Sequence, residues 1–271
     1  MRYRMIAIDL DETLLNSDLQ ISPRNKAAIR EAVRRGVKVT IATGRMFCTS
    51  IPYVRDLELN VDWPLIIYHG AMITTTESRR VIYHRPIENS LATAIVREAE
   101  ARGYHVNIYF DERLFIREEN ESSRFYNRIA PIEPEVVGPL GPFLERQGAS
   151  PTKITIIIRS QEELDKAEAF FTTAYGDRVA VLQTRPSFLE ITDRRATKGQ
   201  ALRRLAEREG IRRDEIIAFG DSCNDLDMLT YAGLGVAVAN AMPAVRRAAD
   251  LVTAANDADG VAEVIEKYVL L

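Results

Sequence analysis

Met5-Ile6-Ala7-Ile8-Asp9-Leu10-Asp11 is the stretch that decides the fold. Its apolar opening reads as a buried strand over 5–10. A strand apolar on both faces belongs to a parallel sheet covered by helices on each side. The carboxylates of Asp9 and Asp11 then emerge at the carboxyl end of that strand, the edge at which open α/β sheets bind ligands.

The flanking sequence repeats the same grammar. Ser22-Pro23 is a helix start, with a capping hydroxyl and proline at the first helical position. Ala28, Ile29, Ala32 and Val33 supply that helix's inward face, and Gly36 supplies its C-terminal cap. Strands follow over 37–42 and 65–68. Near the C-terminus a helix over 198–209 leads to a strand over 215–219, then to a short strand over 235–238. A helix over 243–249, a strand at 251–252 and a helix over 261–269 complete the series. Strands alternating with helices give an α/β fold with a doubly wound, mostly parallel sheet.

From about His84 to Leu189 the pattern changes. Helices over 88–102 and 162–175, strands over 106–110, 114–116 and 153–158, and alternating runs over 179–191 read as an α+β unit. A Pro- and Gly-rich passage over 131–148 reads as loose. The chain is therefore expected to form a core from residues 1–83 and 190–271, with a second domain, 84–189, inserted into it.

Composition narrows the function. Of 271 residues, 46% are hydrophobic and 28% charged, which is an ordinary folded composition. The net charge of -3 supplies no electrostatic reason to expect nucleic acid or an anionic membrane as partner. No apolar run approaches the roughly 18 residues of a membrane span. The first strand begins too early to leave room for a signal peptide, so a cytoplasmic protein without an obligate protein partner is expected. Cys48 and Cys223 make no CxxC pair and read as structural. His69, His84 and His105 are too scattered for a zinc set.

The acidic pair then has a specific chemistry. Hard Mg²⁺ prefers oxygen ligands and is held by one or two carboxylates together with phosphate. Asp9 can attack phosphorus to form an aspartyl-phosphate, while Asp11 handles protons and offers the metal its side chain or its backbone carbonyl. Thr43-Gly44 follows the second strand and can cradle phosphoryl oxygens. Arg45 beside it can meet phosphate or pair with a surface carboxylate. Lys198, behind the N-cap Thr197, sits in a first helical turn, where the dipole favours anions and a lysine calls for an anionic partner. Asp221 is the third metal carboxylate, Asn224 can bridge Lys198 and phosphate, and Asp225 can order Lys198 or metal-bound water.

In order and context, Asp9-Leu10-Asp11-Glu12-Thr13-Leu14-Leu15, Thr43-Gly44-Arg45, Lys198-Gly199 and the run from Gly220 to Leu229 resemble the haloacid dehalogenase superfamily, in its Cof-like branch with a type IIB cap. The resemblance spans almost the whole chain. It implies a Rossmann-like core, a cap over the catalytic edge, and a Mg²⁺-dependent phosphatase of small phosphorylated metabolites, sugar phosphates foremost. By similarity Asp9 is the nucleophile and Asp11 the acid/base. Mg²⁺ falls to Asp9, the Asp11 carbonyl and Asp221, with Asp225 in support. Phosphate falls to Asp9, Leu10, Thr43, Gly44, Lys198 and Asn224.

Three departures stand out: Glu12 where glycine is frequent, His69 where asparagine is usual before Gly70-Ala71, and Ser222-Cys223 where glycine–glutamate is common. Competing readings are a phosphomutase, which returns the phosphoryl group to substrate, and a phosphoryl-accepting signalling domain, which leaves 84–189 unexplained. A dinucleotide-binding oxidoreductase is disfavoured because the first strand leads into acids and not into a glycine-rich turn.

Overall fold

The computed structural model describes residues 2–58 and 62–271. In chain order it begins with β1 (Met5–Ile8), α1 (Pro23–Arg34), β2 (Lys38–Ile41), α2 (Phe47–Asp56), β3 (Pro64–Ile67), β4 (Met72–Thr75) and β5 (Val81–His84). There follow α3 (Asn89–Ala101), β6 (His105–Phe110), β7 (Arg113–Ile116), α4 (Glu121–Ile129), β8 (Glu135–Val136), α5 (Leu140–Gln147), β9 (Lys153–Ile157), α6 (Gln161–Tyr175), β10 (Val179–Arg185) and β11 (Phe188–Asp193). The chain closes with α7 (Lys198–Arg208), β12 (Ile216–Gly220), α8 (Leu226–Tyr231), β13 (Leu234–Ala237), α9 (Pro243–Ala248), β14 (Leu251–Val252) and α10 (Gly260–Ile265).

Two compact units result, one formed by the chain up to Tyr83 with Thr197–Leu271, the other by His84–Ala196. In the first, five strands run in the order β14-β13-β12-β1-β2, with every pairing parallel. A bridge from Ala42 to Ile66 ties β2 to the small sheet β3-β4-β5. Met5, Ile6, Ala7 and Ile8 are all fully buried, as a strand covered on both faces requires. One layer beneath this sheet is built from Leu202, Leu205 and Ala206 of α7 with Met228 and Leu229 of α8. Capping follows the sequence signals: Ser22 accepts from the Asn25 N–H at 3.1 Å, and Gly36 carries φ of 86°.

The second unit has a six-stranded sheet in the order β10-β11-β9-β6-β7-β8. Val106, Ile108, Ile154, Ile156, Leu189 and Ile191 point to one face and join α3, α5 and α6 in an apolar core. The antiparallel hairpin β10–β11 stays whole within this unit. β11 runs on to Asp193 within this sheet, so the return to the core falls after Ala196, against the 189/190 edge expected from sequence.

Three further expectations change in detail. The first strand stops at Ile8, because Leu10–Leu14 wraps into one irregular turn closed by the Leu15 N–H on the Leu10 carbonyl at 2.9 Å. The passage over 131–148 is not loose, since it holds β8 and α5. Helix α4 was not foreseen; Asn120 caps it by accepting from the Ser123 N–H at 3.0 Å. No helix among the described residues is long and apolar enough to cross a membrane.

Candidate active site

Asp9 and Asp221 leave adjacent strands. β1 and β12 pair in register with Ile8 opposite Phe219, and the Asp9 N–H still donates to the Phe219 carbonyl at 3.0 Å. Both acids are thus delivered to the carboxyl edge at the centre of the sheet. The turn after β12 is built around Asp225, whose Oδ2 accepts from the N–H groups of Asp221 and Ser222 at 3.1 Å each. Gly220 makes this possible, because a Cβ there would lie 2.5 Å from the Asp225 Cβ. Thr13, from the turn after β1, donates to Asp221 Oδ1 at 2.9 Å.

Lys198 enters from the first turn of α7, which Thr197 caps by accepting from the Gln200 N–H at 3.2 Å. Its Nζ donates to Asp9 Oδ1 at 2.5 Å and to Asp225 Oδ1 at 2.6 Å. Gly199 lets the helix start approach α8: its N–H donates to Asp227 Oδ2 at 3.0 Å, and a Cβ would collide with Asp227 at 2.6 Å.

The electrostatics are those of an acid-rich buried cluster. Lys198 is only 1% exposed; burial opposes its charge, yet Asp225 and Asp9 hold its pKa above the ordinary lysine range. Burial pushes the Asp9 carboxyl well above the usual carboxylate range against the pull of Lys198, and Asp225, Asp221 and Asp11 push the same way. Asp221 is pushed up to about 6 by burial and by the Asp225 charge, with the Thr13 hydroxyl and Lys198 opposing. Ligand oxygens of Asp9, Asp221 and Asp225 lie within 4.8 Å of one another. Three carboxylates around one ammonium leave excess negative charge in a desolvated site. An all-oxygen donor set with that excess fits a hard divalent cation such as Mg²⁺.

A stability consequence follows. A folded-state pKa above the unfolded value makes the native chain bind more protons than the unfolded one, so stability falls as pH rises between the two values. Asp221 therefore destabilises the metal-free protein above pH of about 6, by on the order of 2–3 kcal/mol. Asp221→Asn, which keeps the Thr13 acceptor, is expected to raise the melting temperature of chelator-treated protein by several degrees at pH 8 and by little at pH 4. It should also abolish stabilisation by Mg²⁺. A lower melting temperature at pH 8 would contradict this account.

On the other side lies Thr43-Gly44-Arg45. The Thr43 N–H donates to the Ile66 carbonyl at 2.9 Å, and the Thr43 hydroxyl accepts from the Arg45 N–H at 3.2 Å. Arg45 does not face outward. It holds both oxygens of Asp11, through Nε at 2.8 Å and Nη2 at 2.6 Å, with its guanidinium 5.0 Å from the Tyr53 ring centroid. Arg45 therefore pairs not with a surface carboxylate, as the sequence allowed, but with Asp11 of the first motif.

The structure redistributes other residues. Asn224 does not bridge Lys198, whose ammonium goes to two aspartates, Asp9 and Asp225. Its amide instead lies 3.1 Å from His69 Nδ1 and accepts from the Ser222 hydroxyl at 2.6 Å. Leu10 is fully buried, so what it can offer a ligand is backbone. Glu12 sits at φ of 58° and His69 at φ of 56°. Glycine and asparagine tolerate that left-handed region best, which accounts for their frequency at these two positions in the family the sequence resembles. The Glu12 carbonyl accepts from Asn240 at 2.7 Å. Cys223 is exposed, with Sγ 3.8 Å from Met242 Sδ.

Sequence reasoning missed the Thr13 hydrogen bond and the Asp11–Arg45 pair. Thr13, Asp11 and Arg45 all lie within motifs, but each contact depends on a turn geometry that no spacing encodes.

The sequence model of the haloacid dehalogenase-like hydrolases matches residues 6–265. A putative phosphatase of Haemophilus influenzae is 33% identical over 269 residues, covering 98% of each chain. A 5-amino-6-(5-phospho-D-ribitylamino)uracil phosphatase of Bacillus subtilis is 27% identical over 270 residues, covering 97% of each. The crystal structure of a haloacid dehalogenase-like hydrolase from Bacteroides thetaiotaomicron superposes with a TM-score of 0.87, at 28% identity, over 98% of this chain and 99% of that one.

Proposed function

Since this chain belongs to the haloacid dehalogenase-like hydrolases, in the branch with a type IIB cap, and is a phosphoric-monoester hydrolase, we propose that it removes phosphate from small polyhydroxylated metabolites, sugar phosphates foremost, by way of an aspartyl-phosphate. The observation that carries this reading is the Asp9–Lys198–Asp225 cluster, a buried carboxylate held at 2.5 Å by an ammonium that is itself anchored at 2.6 Å.

Asp9 is the nucleophile. Its Oδ attacks phosphorus, the bond to the ester oxygen breaks, and the alkoxide takes a proton from Asp11. Asp11 then removes a proton from the water that attacks the phosphoaspartate, releasing inorganic phosphate and restoring Asp9. Lys198 fixes the Asp9 rotamer and balances charge on the phosphoryl oxygens. Thr43, the backbone at Leu10 and Gly44, and Asn224 hold those oxygens. Arg45 holds Asp11 as a carboxylate, the form needed for the second half-reaction; the acid form requires that pair to open. Asp9, Asp221 and the Asp11 carbonyl would hold Mg²⁺, with Asp225 behind them; the Asp11 side chain is committed to Arg45. When bound, the ion offsets the repulsion between carboxylate and phosphate and polarises the phosphoryl group.

The substrate class rests on the ribityl phosphate in the name of the Bacillus subtilis relative. A phosphate-release screen with Mg²⁺ should find the highest kcat/KM among sugar and sugar-alcohol phosphates. Higher values for nucleotides or pyridoxal phosphate would overturn the substrate assignment. Isomerisation of a sugar phosphate without phosphate release would replace hydrolase by mutase.

A further inference from the structure

The turn Tyr68-His69-Gly70 touches three of the phosphate-site segments, Thr43-Gly44-Arg45, the start of α7 and Asn224. Its three residues have φ of 51°, 56° and 98°. For the two that carry a Cβ this left-handed conformation is strained, and surrounding structure must hold it in place. The Tyr68 N–H donates to the Arg45 carbonyl and the His69 N–H to the Thr43 carbonyl, both at 3.0 Å. Gly70 lies against the start of α7, where a Cβ would come within 2.2 Å of the Thr197 carbonyl oxygen and 2.9 Å of the Lys198 nitrogen. The His69 ring covers Gly44 so closely that a Cβ there would fall 2.2 Å from Cε1 and 2.5 Å from Nε2. The ring is 3% exposed, and its Nδ1 meets Asn224 Nδ2 at 3.1 Å.

We propose that His69 is a positioning residue for phosphate: its Nδ1 accepts one Asn224 amide proton and so turns the second amide N–H toward a phosphoryl oxygen. Ser222 completes the lock, because its hydroxyl donates to Asn224 Oδ1 at 2.6 Å and occupies the amide carbonyl. A primary amide freed from its partner at nitrogen can turn over and present oxygen to oxygen, which is repulsive. Packed on Gly44, the imidazole has no room to turn and holds the amide in one sense. The inference rests on the reading of Asn224 and Gly44 as phosphate ligands.

The test compares inorganic phosphate binding by calorimetry in the presence of Mg²⁺ with steady-state KM and kcat. His69→Phe keeps the ring on Gly44 and deletes the acceptor. Phosphate affinity should fall about tenfold, with KM rising in step and kcat changing by less than about threefold, as loss of uniform binding requires. His69→Asn places an oxygen at the δ position and tolerates φ of 56°, so it should restore affinity to within about threefold of the parent. Asn224→Ala should weaken phosphate binding, and adding His69→Phe to it should weaken binding no further. Should the phenylalanine variant fail to fold, His69→Gln, with no acceptor at the δ position, takes its place.

Unchanged affinity in His69→Phe, equal losses in the asparagine and phenylalanine variants, or multiplying losses in the double variant would each overturn the proposal. If the parent hydrolyses no phosphate ester, the proposed function fails, while the binding data still decide the role of His69. If the parent is active and His69→Phe binds phosphate as tightly, only the positioning role fails.

Discussion

Asp9→Asn is expected to lower steady-state phosphate release by on the order of a thousandfold or more while leaving the protein folded. The amide has the volume of the carboxylate and can still accept from Lys198, which donates to Oδ1 at 2.5 Å. What it lacks is a carboxylate oxygen able to form an acyl phosphate. Stability should rise, because burial and the neighbouring acids push Asp9 well above its ordinary range, so its charge is a cost to the fold. Rapid acid quench with radiolabelled substrate should trap phosphoenzyme in the parent and none in the variant. Turnover within tenfold of the parent would sink the nucleophile assignment, and the aspartyl-phosphate route with it.

Lys198→Met should damage both activity and stability. The ammonium, 1% exposed, is the cation placed by salt bridges between Asp9 and Asp225. Methionine fills much of the same volume but leaves those carboxylates buried without a counter-charge, a loss of about 3–5 kcal/mol. Turnover should drop by on the order of a hundredfold or more, since the group that orients Asp9 and balances the phosphoryl oxygens is gone. The pH dependence has a definite sign. Lys198 is raised above its ordinary value, so in the parent its contribution is complete below its unfolded pKa, throughout neutral pH, and is lost only in strong alkali. In the variant, the acids bind protons in the folded state more readily than when unfolded, so the destabilisation should grow from pH 5 to pH 8. Mg²⁺ should recover part of it. Thermal denaturation at the two pH values, with and without Mg²⁺, checks this. A variant with unchanged melting temperature and turnover would show that Lys198 is not the charge partner of the cluster.

The legibility of this chain was uneven, for physical reasons. The core strands could be read because a strand buried on both faces must be apolar throughout, as Met5–Ile8 and Ile216–Gly220 are. Helix ends could be read where a cap is local, as at Ser22, Thr197 and Gly36. In the inserted unit the same residue types misled. Over 139–148, glycine and proline suggested a loop, but Pro142 falls in the first turn of α5, where no N–H is needed. Gly148, at φ of 60°, is its left-handed cap. Helix α4 has little apolar sequence of its own; Tyr126 secures it by packing on Phe188, ring centroids 5.4 Å apart, and by accepting from Tyr109.

By itself the sequence determined the fold class, the strand ends that carry Asp9 and Asp221, and the chemistry those carboxylates invite. These depend on residue type and short-range order: an apolar run, two acids after it, a capped helix with lysine in its first turn. Only the tertiary structure decided which partner each group takes. Lys198 goes to Asp225 and not to Asn224, Asp11 to Arg45, and Asn224 to His69. Those choices turn on differences of an ångström between segments far apart in sequence, set by left-handed turns at Glu12 and His69 and by the missing side chains of Gly44, Gly70 and Gly220. A motif names the residues of the site, while the close packing of its loops fixes which oxygen faces which nitrogen.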